Sequence, residues 1–323
     1  MRALSKKFIN DLKSTDGLLQ PILQRVQLDD SLMLAIRNNY INIYYRGGNL
    51  LRVTQQNKSS YGSFFDEKYN ISSQPMHIPP SIITKHSEAK EWVDAFPCLK
   101  EAIDLFLSKK NKPEREFQQL VARENNFSTI SNESEYFLSD IEFADSDLGA
   151  RFDMLAIRCL ASKRKNGGNC RVALMEMKYG DGALAGKSGL LEHLHDIHAL
   201  ISDKNKYKSL QMTIQSQLND LDELGLLCFD RCKSGTGVEL DVDGKPEVIF
   251  ILANHNPRST KLRSILKTLA DDVGKIAKYA ECFDLRFFVS TFAGYGLHSA
   301  CMLTLNQFQK LLCAQKANDG GDQ

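Results

Sequence analysis

The stretch that decides the fold is Val172-Ala173-Leu174-Met175-Glu176-Met177-Lys178-Tyr179. It opens as an apolar strand and closes with two charged residues standing two apart. Side chains alternate across a strand, so Glu176 and Lys178 share one face and Met177 takes the other. Burying a carboxylate and an ammonium beside a core is costly unless they are paired or bind a metal.

Upstream, Ser162-Lys163-Arg164-Lys165-Asn166-Gly167-Gly168-Asn169 carries a hairpin signal. The arm before it, Arg151 to Leu160, holds Asp153 near its entry with apolar residues on both sides. In an antiparallel hairpin the entry of the first strand meets the exit of the second. The turn therefore brings Asp153 towards Glu176 and Lys178. Two carboxylates and a carbonyl oxygen form a hard, anionic site that suits Mg2+ or Mn2+. A metal there polarises a phosphate oxygen and lowers the pKa of a bound water. A nearby ammonium orients that water or stabilises developing charge. These are the needs of phosphodiester hydrolysis.

An acid-x-Lys triplet by itself carries no information. Glu88-Ala89-Lys90 lies in helical material, Asp66-Glu67-Lys68 follows no strand ending in an acid, and Asp243-Gly244-Lys245 before Pro246 is a turn. Only the triplet at Glu176 ends an apolar strand behind a hairpin whose other arm carries an Asp. The competing reading of that triplet is a surface salt bridge at a sheet edge.

Outward from the hairpin the coarse order is helix, three strands, helices, strand, helix, strand. Pro113 opens a helix over Glu114 to Asn125, with Phe117, Leu120 and Val121 on one stripe. Strands follow at Tyr136 to Phe143, Arg151 to Leu160 and Arg171 to Tyr179. Helices are expected at Leu190 to Ser202, Tyr207 to Leu227, Thr260 to Cys282 and Leu305 to Ala314, with strands at Val248 to Ala253 and Leu285 to Phe292. This order predicts an α/β fold, a mixed central sheet flanked by helices on both faces.

The residues Arg151-Phe152-Asp153-Met154-Leu155 and Leu174-Met175-Glu176-Met177-Lys178 resemble the two acidic motifs of the PD-(D/E)XK phosphodiesterase superfamily, also called restriction-endonuclease-like. That resemblance implies a helix, three antiparallel strands, a helix and a further strand, an order available from about Glu114 to Phe292. It covers roughly the last two thirds of the chain. It implies that Asp153, Glu176 and the Met177 carbonyl bind the metal and that Lys178 positions or activates the attacking water. The family often adds a glutamate from the first helix. Here Glu114 is preferred over Glu116 because it stands at the edge of the apolar stripe. Either one is equally explained as an acid at a helix N-terminus. The proline of the motif name is replaced by Phe152.

The N-terminal segment to about residue 80 reads as a smaller α+β region outside the resemblance. Ser5 to Gln27 has helical spacing, and strand-favouring runs surround the glycine pair Gly47-Gly48. Ser72 to Pro80 reads as a linker, which places a nuclease-like domain over 81–315 and a flexible tail over 316–323. Tyr40, Tyr44, Tyr45, Tyr61, Phe64 and Phe65 are read as the small sheet's own core before any base-stacking role.

Composition agrees with a globular chain: 323 residues, 42% hydrophobic, 25% charged, formal net charge +1. The near-neutral balance argues against a non-specific DNA coat, and acidic metal ligands can offset a basic groove. Eight scattered cysteines without a CxxC pair read as reduced, buried thiols, not a zinc site. The absence of a signal-like start and of any bilayer-length apolar run predicts a soluble, cytoplasmic protein.

Secondary candidates for touching nucleic acid are Lys187 and His193, which stand at and within the expected helix after the site. Lys163-Arg164-Lys165, Lys109, Lys110, Lys112, Arg258, Lys261, Arg263 and Lys267 read as solvated faces when taken singly, and His195 and His198 as solvated helix positions. The expected function is a Mg2+- or Mn2+-dependent nuclease acting on DNA more than RNA, as a restriction-like or phage-defence effector. A homodimer or a partner protein is compatible with it. The alternative is a non-catalytic binding scaffold that keeps the fold.

Overall fold

Apolar runs joined by tight turns build the first sheet of this computed structural model, which describes residues 2–71, 76–110, 112–160, 170–186, 189–228, 238–254, 260–290, 299 and 302–318. Its strands are β1 (Leu32–Ile36), β2 (Tyr40–Tyr45), β3 (Gly48–Gln55), β4 (Tyr61–Phe64) and β5 (Ile82–Ile83), in that order and antiparallel throughout. The β2–β3 turn is Arg46-Gly47, with φ of 48° and 71°. Two positive φ values give the hairpin turn that follows strand twist. Gly48 does not belong to the turn but opens β3 opposite Tyr45.

The helix expected over Ser5 to Gln27 is broken in two, α1 (Lys6–Lys13) and α2 (Gln20–Leu28). Ser5 Oγ accepts the Phe8 N–H and caps α1. The chain then folds back so that Leu19 N–H donates to Asp11 O at 2.9 Å. A Cβ at Gly17 would lie 2.3 Å from that same oxygen, so only glycine passes there. Two further helices, α3 (His86–Lys109) and α4 (Pro113–Asn126), follow the first sheet.

The second sheet has the order β10-β9-β8-β7-β6, with β6 (Tyr136–Asp145), β7 (Ala150–Arg158), β8 (Arg171–Tyr179), β9 (Glu247–Ala253) and β10 (Asp284–Ser290). β7 and β8 are antiparallel, whereas β9 runs parallel to both β8 and β10. Parallel neighbours need long crossovers. They are supplied by α5 (Leu190–Ser202) and α6 (Lys204–Glu223) between β8 and β9, and by α7 (Thr260–Asp271) and α8 (Val273–Cys282) between β9 and β10. α9 (Leu305–Asn318) comes last. The chain is therefore mixed α/β. The single helix expected over Thr260 to Cys282 is interrupted at Asp272, whose carboxylate accepts the Lys275 N–H and starts α8 anew. β9 is buried at every position, as a strand covered on both faces must be.

Contacts divide the chain into two units. The first comprises Met1–Ser131, Ser139–Ile141 and Met212–Phe229; the second comprises Asn132–Leu138, Glu142–Gln211 and Asp230–Gln323. The core of the first is built around Trp92, Phe8, Phe96 and Tyr61, all fully buried. Its α4 does not bury the stripe read from spacing: Phe117 and Leu120 are only half-buried, while Gln118, Gln119, Asn125 and Asn126 are buried beside Val121. For Gln119 the reason is hydrogen bonding. Gln119 accepts from Gly47 N at 2.8 Å and donates to Ser31 O and Tyr44 O at 2.9 and 3.2 Å. A Cβ on Gly47 would come within 2.5 Å of Arg115 Cβ, so glycine lets α4 dock on the hairpin.

A buried polar knot joins the three segments of this unit. Asp140, fully buried, is paired with Arg37 and accepts from Gln217 Nε2 at 2.9 Å. Gln217 also donates to Ile36 O at 2.7 Å, and Arg37 to Ile141 O at 2.7 Å.

The hairpin tip at Asn166-Gly167 with Lys163, Arg164 and Lys165, together with Lys187, His255-Asn256-Pro257 and Arg258, lies outside the described residues. So do Ser72 to Pro75 of the expected linker, Phe292, Cys232, Cys301 and residues 319–323. Among described residues no helix is long and apolar enough to cross a membrane. The described cysteines are free thiols. Cys159 and Cys170 are buried, but Cys98, Cys228 and Cys313 are exposed. In the run Leu311-Leu312-Cys313 the helix turns only Leu312 inward, which is why an apolar run did not bury its thiol.

Asp220 of the first unit accepts the Leu4 N–H at 2.8 Å. Burial, aided by the nearby Glu223 charge and opposed by the Leu4 hydrogen bond, pushes its carboxyl from 3.8 up to about 6. With the native value above the unfolded one, the native state binds more protons between those values. Stability then falls as pH rises through the window and levels off above it. Asp220→Asn is expected to flatten that fall, which melting temperatures measured across the window check.

Candidate functional site

The last registered pair of the β7–β8 ladder is Met154 with Met175. One residue further out stand Asp153 and Glu176. Backbone pairing stops there because Asp153 Oδ2 accepts the Met177 N–H at 2.8 Å. A carboxylate thus takes the donor that a continuing strand would have used. By register, Asp153 and Glu176 share a sheet face, and the period of two adds Lys178 to it. The structure brings these three residues of the expected site together.

On the other side of β8, Glu176 and Lys178 stand beside Phe250 and Leu252 of β9. Phe250 stacks on Phe287 at 6.0 Å. These apolar neighbours leave Glu176 only 1% and Lys178 only 4% exposed. Lys178 Nζ is 3.6 Å from Glu176 Oε2, an ion-pair contact longer than a hydrogen bond. His193 of α5 brings its Nδ1 to 2.7 Å from the same oxygen, but without the alignment of a hydrogen bond. Neither carboxylate oxygen of Glu176 accepts a hydrogen bond.

The other end of the same sheet supplies the comparison. Glu247, at the start of β9, is also fully buried. It accepts from Arg158 at 2.8 Å, from Arg171 at 3.2 Å and from the Tyr136 hydroxyl at 2.5 Å. Arg171 also donates to Asp284 at 2.6 Å. Beside Glu247, burial and the carboxylate charge push the Tyr136 phenol far up, so it stays protonated and donates. Glu247 is a buried carboxylate with its charge matched. Glu176 has the Lys178 ammonium and the His193 imidazole close by and accepts a hydrogen bond from neither.

The remaining candidates separate. Glu116 is committed to Arg46, which donates to it at 2.7 and 3.2 Å and also reaches Asp104. Glu114 sits half-buried in the first turn of α4, within the first unit. Of the helix histidines, His195 is exposed and His198 packs on the Tyr279 ring at 5.2 Å. Lys109, Lys110, Lys112, Lys261 and Lys267 are exposed, whereas Arg263 is half-buried with Nε and one terminal nitrogen lacking a hydrogen-bond partner. Of the six aromatics, Tyr44, Tyr61 and Phe65 are core. Tyr45 donates to Asp104 at 3.0 Å. Tyr40 and Phe64 flank Arg52.

Two features escaped the sequence reading. The Glu247 network has no short-range signature, because its members come from four strands. The contact of His193 with Glu176 depends on how α5 lies over the sheet. Beside that contact opens a cleft of about 770 Å3, bounded by α5 and the β6–β7 turn, with His193, Arg151, Phe152 and Lys206 in its wall.

The two buried glutamates should respond unequally to loss of charge. In EDTA, Glu176→Gln is expected to shift the melting temperature little, since it removes a desolvated charge without hydrogen bonds but leaves Lys178 without its nearby carboxylate. Glu247→Gln is expected to lose on the order of 2–3 kcal/mol, because it weakens charge-assisted hydrogen bonds from Arg158, Arg171 and Tyr136. Calorimetric or denaturant unfolding of both variants checks this. Comparison of the chain with family models, with curated proteins and with solved structures returned no match in any of the three.

Proposed function

We propose that the chain is a metal-dependent nuclease that hydrolyses phosphodiester bonds, of DNA in preference to RNA, on a core like that of the PD-(D/E)XK superfamily. The observation that carries this reading is Glu176. It is a buried carboxylate that accepts no hydrogen bond, next to Asp153 and Lys178 at the end of a strand. A fold that merely needed an ion pair there would saturate it, as it does at Glu247. The location adds support, because Glu176 and Lys178 lie at the carboxyl ends of the parallel pair β8–β9, where open α/β sheets bind ligands.

The donor set fits Mg2+ or Mn2+: the carboxylates of Asp153 and Glu176 and the main-chain carbonyl of Met177, all hard oxygen donors. Among the described residues no three His, Cys, Asp or Glu side chains converge on one point. An ion of this kind is commonly held by one or two carboxylates and keeps several waters, so three are not required. When bound, it supplies Lewis-acid polarisation of a phosphoryl oxygen and of water. The chain's own residues do the rest. Asp153 is oriented by the Met177 N–H, which fixes its other oxygen relative to Glu176. Lys178 holds an ammonium in an apolar wall, where it orients the attacking water and offsets charge developing on the phosphate.

Purified protein is incubated with plasmid, linear duplex, single-stranded DNA and RNA, in Mg2+, Mn2+ or EDTA. Metal-dependent cleavage is expected, and Glu176→Ala and Lys178→Ala are each expected to lower its rate by about 100-fold or more. Cleavage that survives both substitutions would sink the site; binding without cleavage under every condition would favour a scaffold.

A further inference from the structure

The cleft beside His193 has a charge pattern that the fold does not use. Arg151 stands two residues before Asp153 in β7, so the pleat puts both on the face that also carries Glu176 and Lys178. It is exposed, and no ion pair forms at it among the described residues. Lys206, near the start of α6, is likewise exposed without an ion pair, and it lines the same cleft of about 770 Å3. Most other arginines of this sheet are spent on carboxylates: Arg158 on Glu135 and Glu247, Arg171 on Glu247 and Asp284.

Two acids share the cleft, and they differ. Asp145 is turned into its own turn, where it accepts the N–H groups of Asp147 and Leu148 at 3.0 and 3.1 Å. Asp196 is exposed on α5. Phe152, the residue between Arg151 and Asp153, is 3% exposed and packs on Phe143 at 6.2 Å. It fixes the backbone from which Arg151 projects and offers no ring face to a base. The cleft thus presents cations without a stacking surface, which is the chemistry of backbone contact and not of base reading.

We infer that this cleft is a phosphate-backbone subsite, in which Arg151 and Lys206 hold the nucleic-acid strand leading into the Asp153–Glu176–Lys178 site. The inference rests on the nuclease reading for its ligand class, but its test does not depend on cleavage. Arg151 lies nearest the reacting phosphate and holds a neighbouring one by its planar fork. Lys206 acts further along the strand as a point charge. Both are positioning residues.

Full-length protein is titrated into fluorescein-labelled single-stranded and duplex oligonucleotides in EDTA, followed by anisotropy over a series of salt concentrations. Arg151→Ala and Lys206→Ala are each expected to weaken binding roughly threefold to tenfold, independently of sequence. Each should also lower the slope of log affinity against log salt by about one. Arg151→Lys should restore most of the salt slope, and Asp196→Asn should tighten binding, because it removes a charge of the opposing sign. Wild-type affinity and slope in both alanine variants would overturn the inference, as would a wild-type protein that binds none of the oligonucleotides. Binding that needs Arg151 and Lys206 without any metal-dependent cleavage would uphold the subsite while removing the nuclease activity. Cleavage with binding indifferent to both cations would do the reverse.

Discussion

The alternation of side chains along β8 is the constraint on which the second unit depends. One face of that strand packs Met175 and Met177 into the core, and the other must then carry Glu176 and Lys178. No shift of one residue is available, since it would place Glu176 and Lys178 where Met175 and Met177 pack. Register with β7 sets Asp153 across from Glu176, and register with β9 sets Phe250 and Leu252 at its flank. The pleat therefore delivers both the grouping of the charged residues and the apolar wall that dries them.

The energetic consequence is visible in the two buried glutamates of this sheet. Desolvating a carboxylate is repaid at Glu247 by two guanidinium groups and a phenol. At Glu176 the Lys178 ammonium and the His193 imidazole lie near and no donor is aligned. Local cost without local compensation is a common mark of a working site, because the compensating partner is a ligand and not a side chain. The fully buried carboxylate of the first unit is of the compensated kind. Its buried Asp140 is matched by Arg37 and Gln217, and serves to tie three distant segments into one body.

That tie also explains why the chain's organisation is not linear. A short piece of β6 and the second half of α6 are grouped with the N-terminal residues, so the two units interleave along the chain. Composition shifts and proline-rich stretches mark only boundaries between consecutive pieces. A unit assembled from three segments leaves no such mark, because what joins the segments is side-chain contact between positions far apart in sequence.

The sequence by itself determined the local elements of the second sheet. β8 spans the residues that its apolar run and terminal charges indicate, Arg171–Tyr179, and α5 spans Leu190–Ser202 as its spacing indicates. The proximity of Asp153, Glu176 and Lys178 was legible too, since it needs only a hairpin and a period of two. Helix breaks were not. They arise at Gly17, from a backbone approach to Asp11, and at Asp272, from a capping carboxylate. Only the tertiary structure decided that α4 buries amides, that Glu116 belongs to Arg46 and that His193 comes to Glu176. It also decided that Glu247 is paired while Glu176 is not. Periodicity reports which face of an element is apolar; it carries no information about which distant group will meet a polar side chain once that face is buried. Those pairings are set by crossovers and packing angles, which act across tens of residues and are written in no short stretch of the chain.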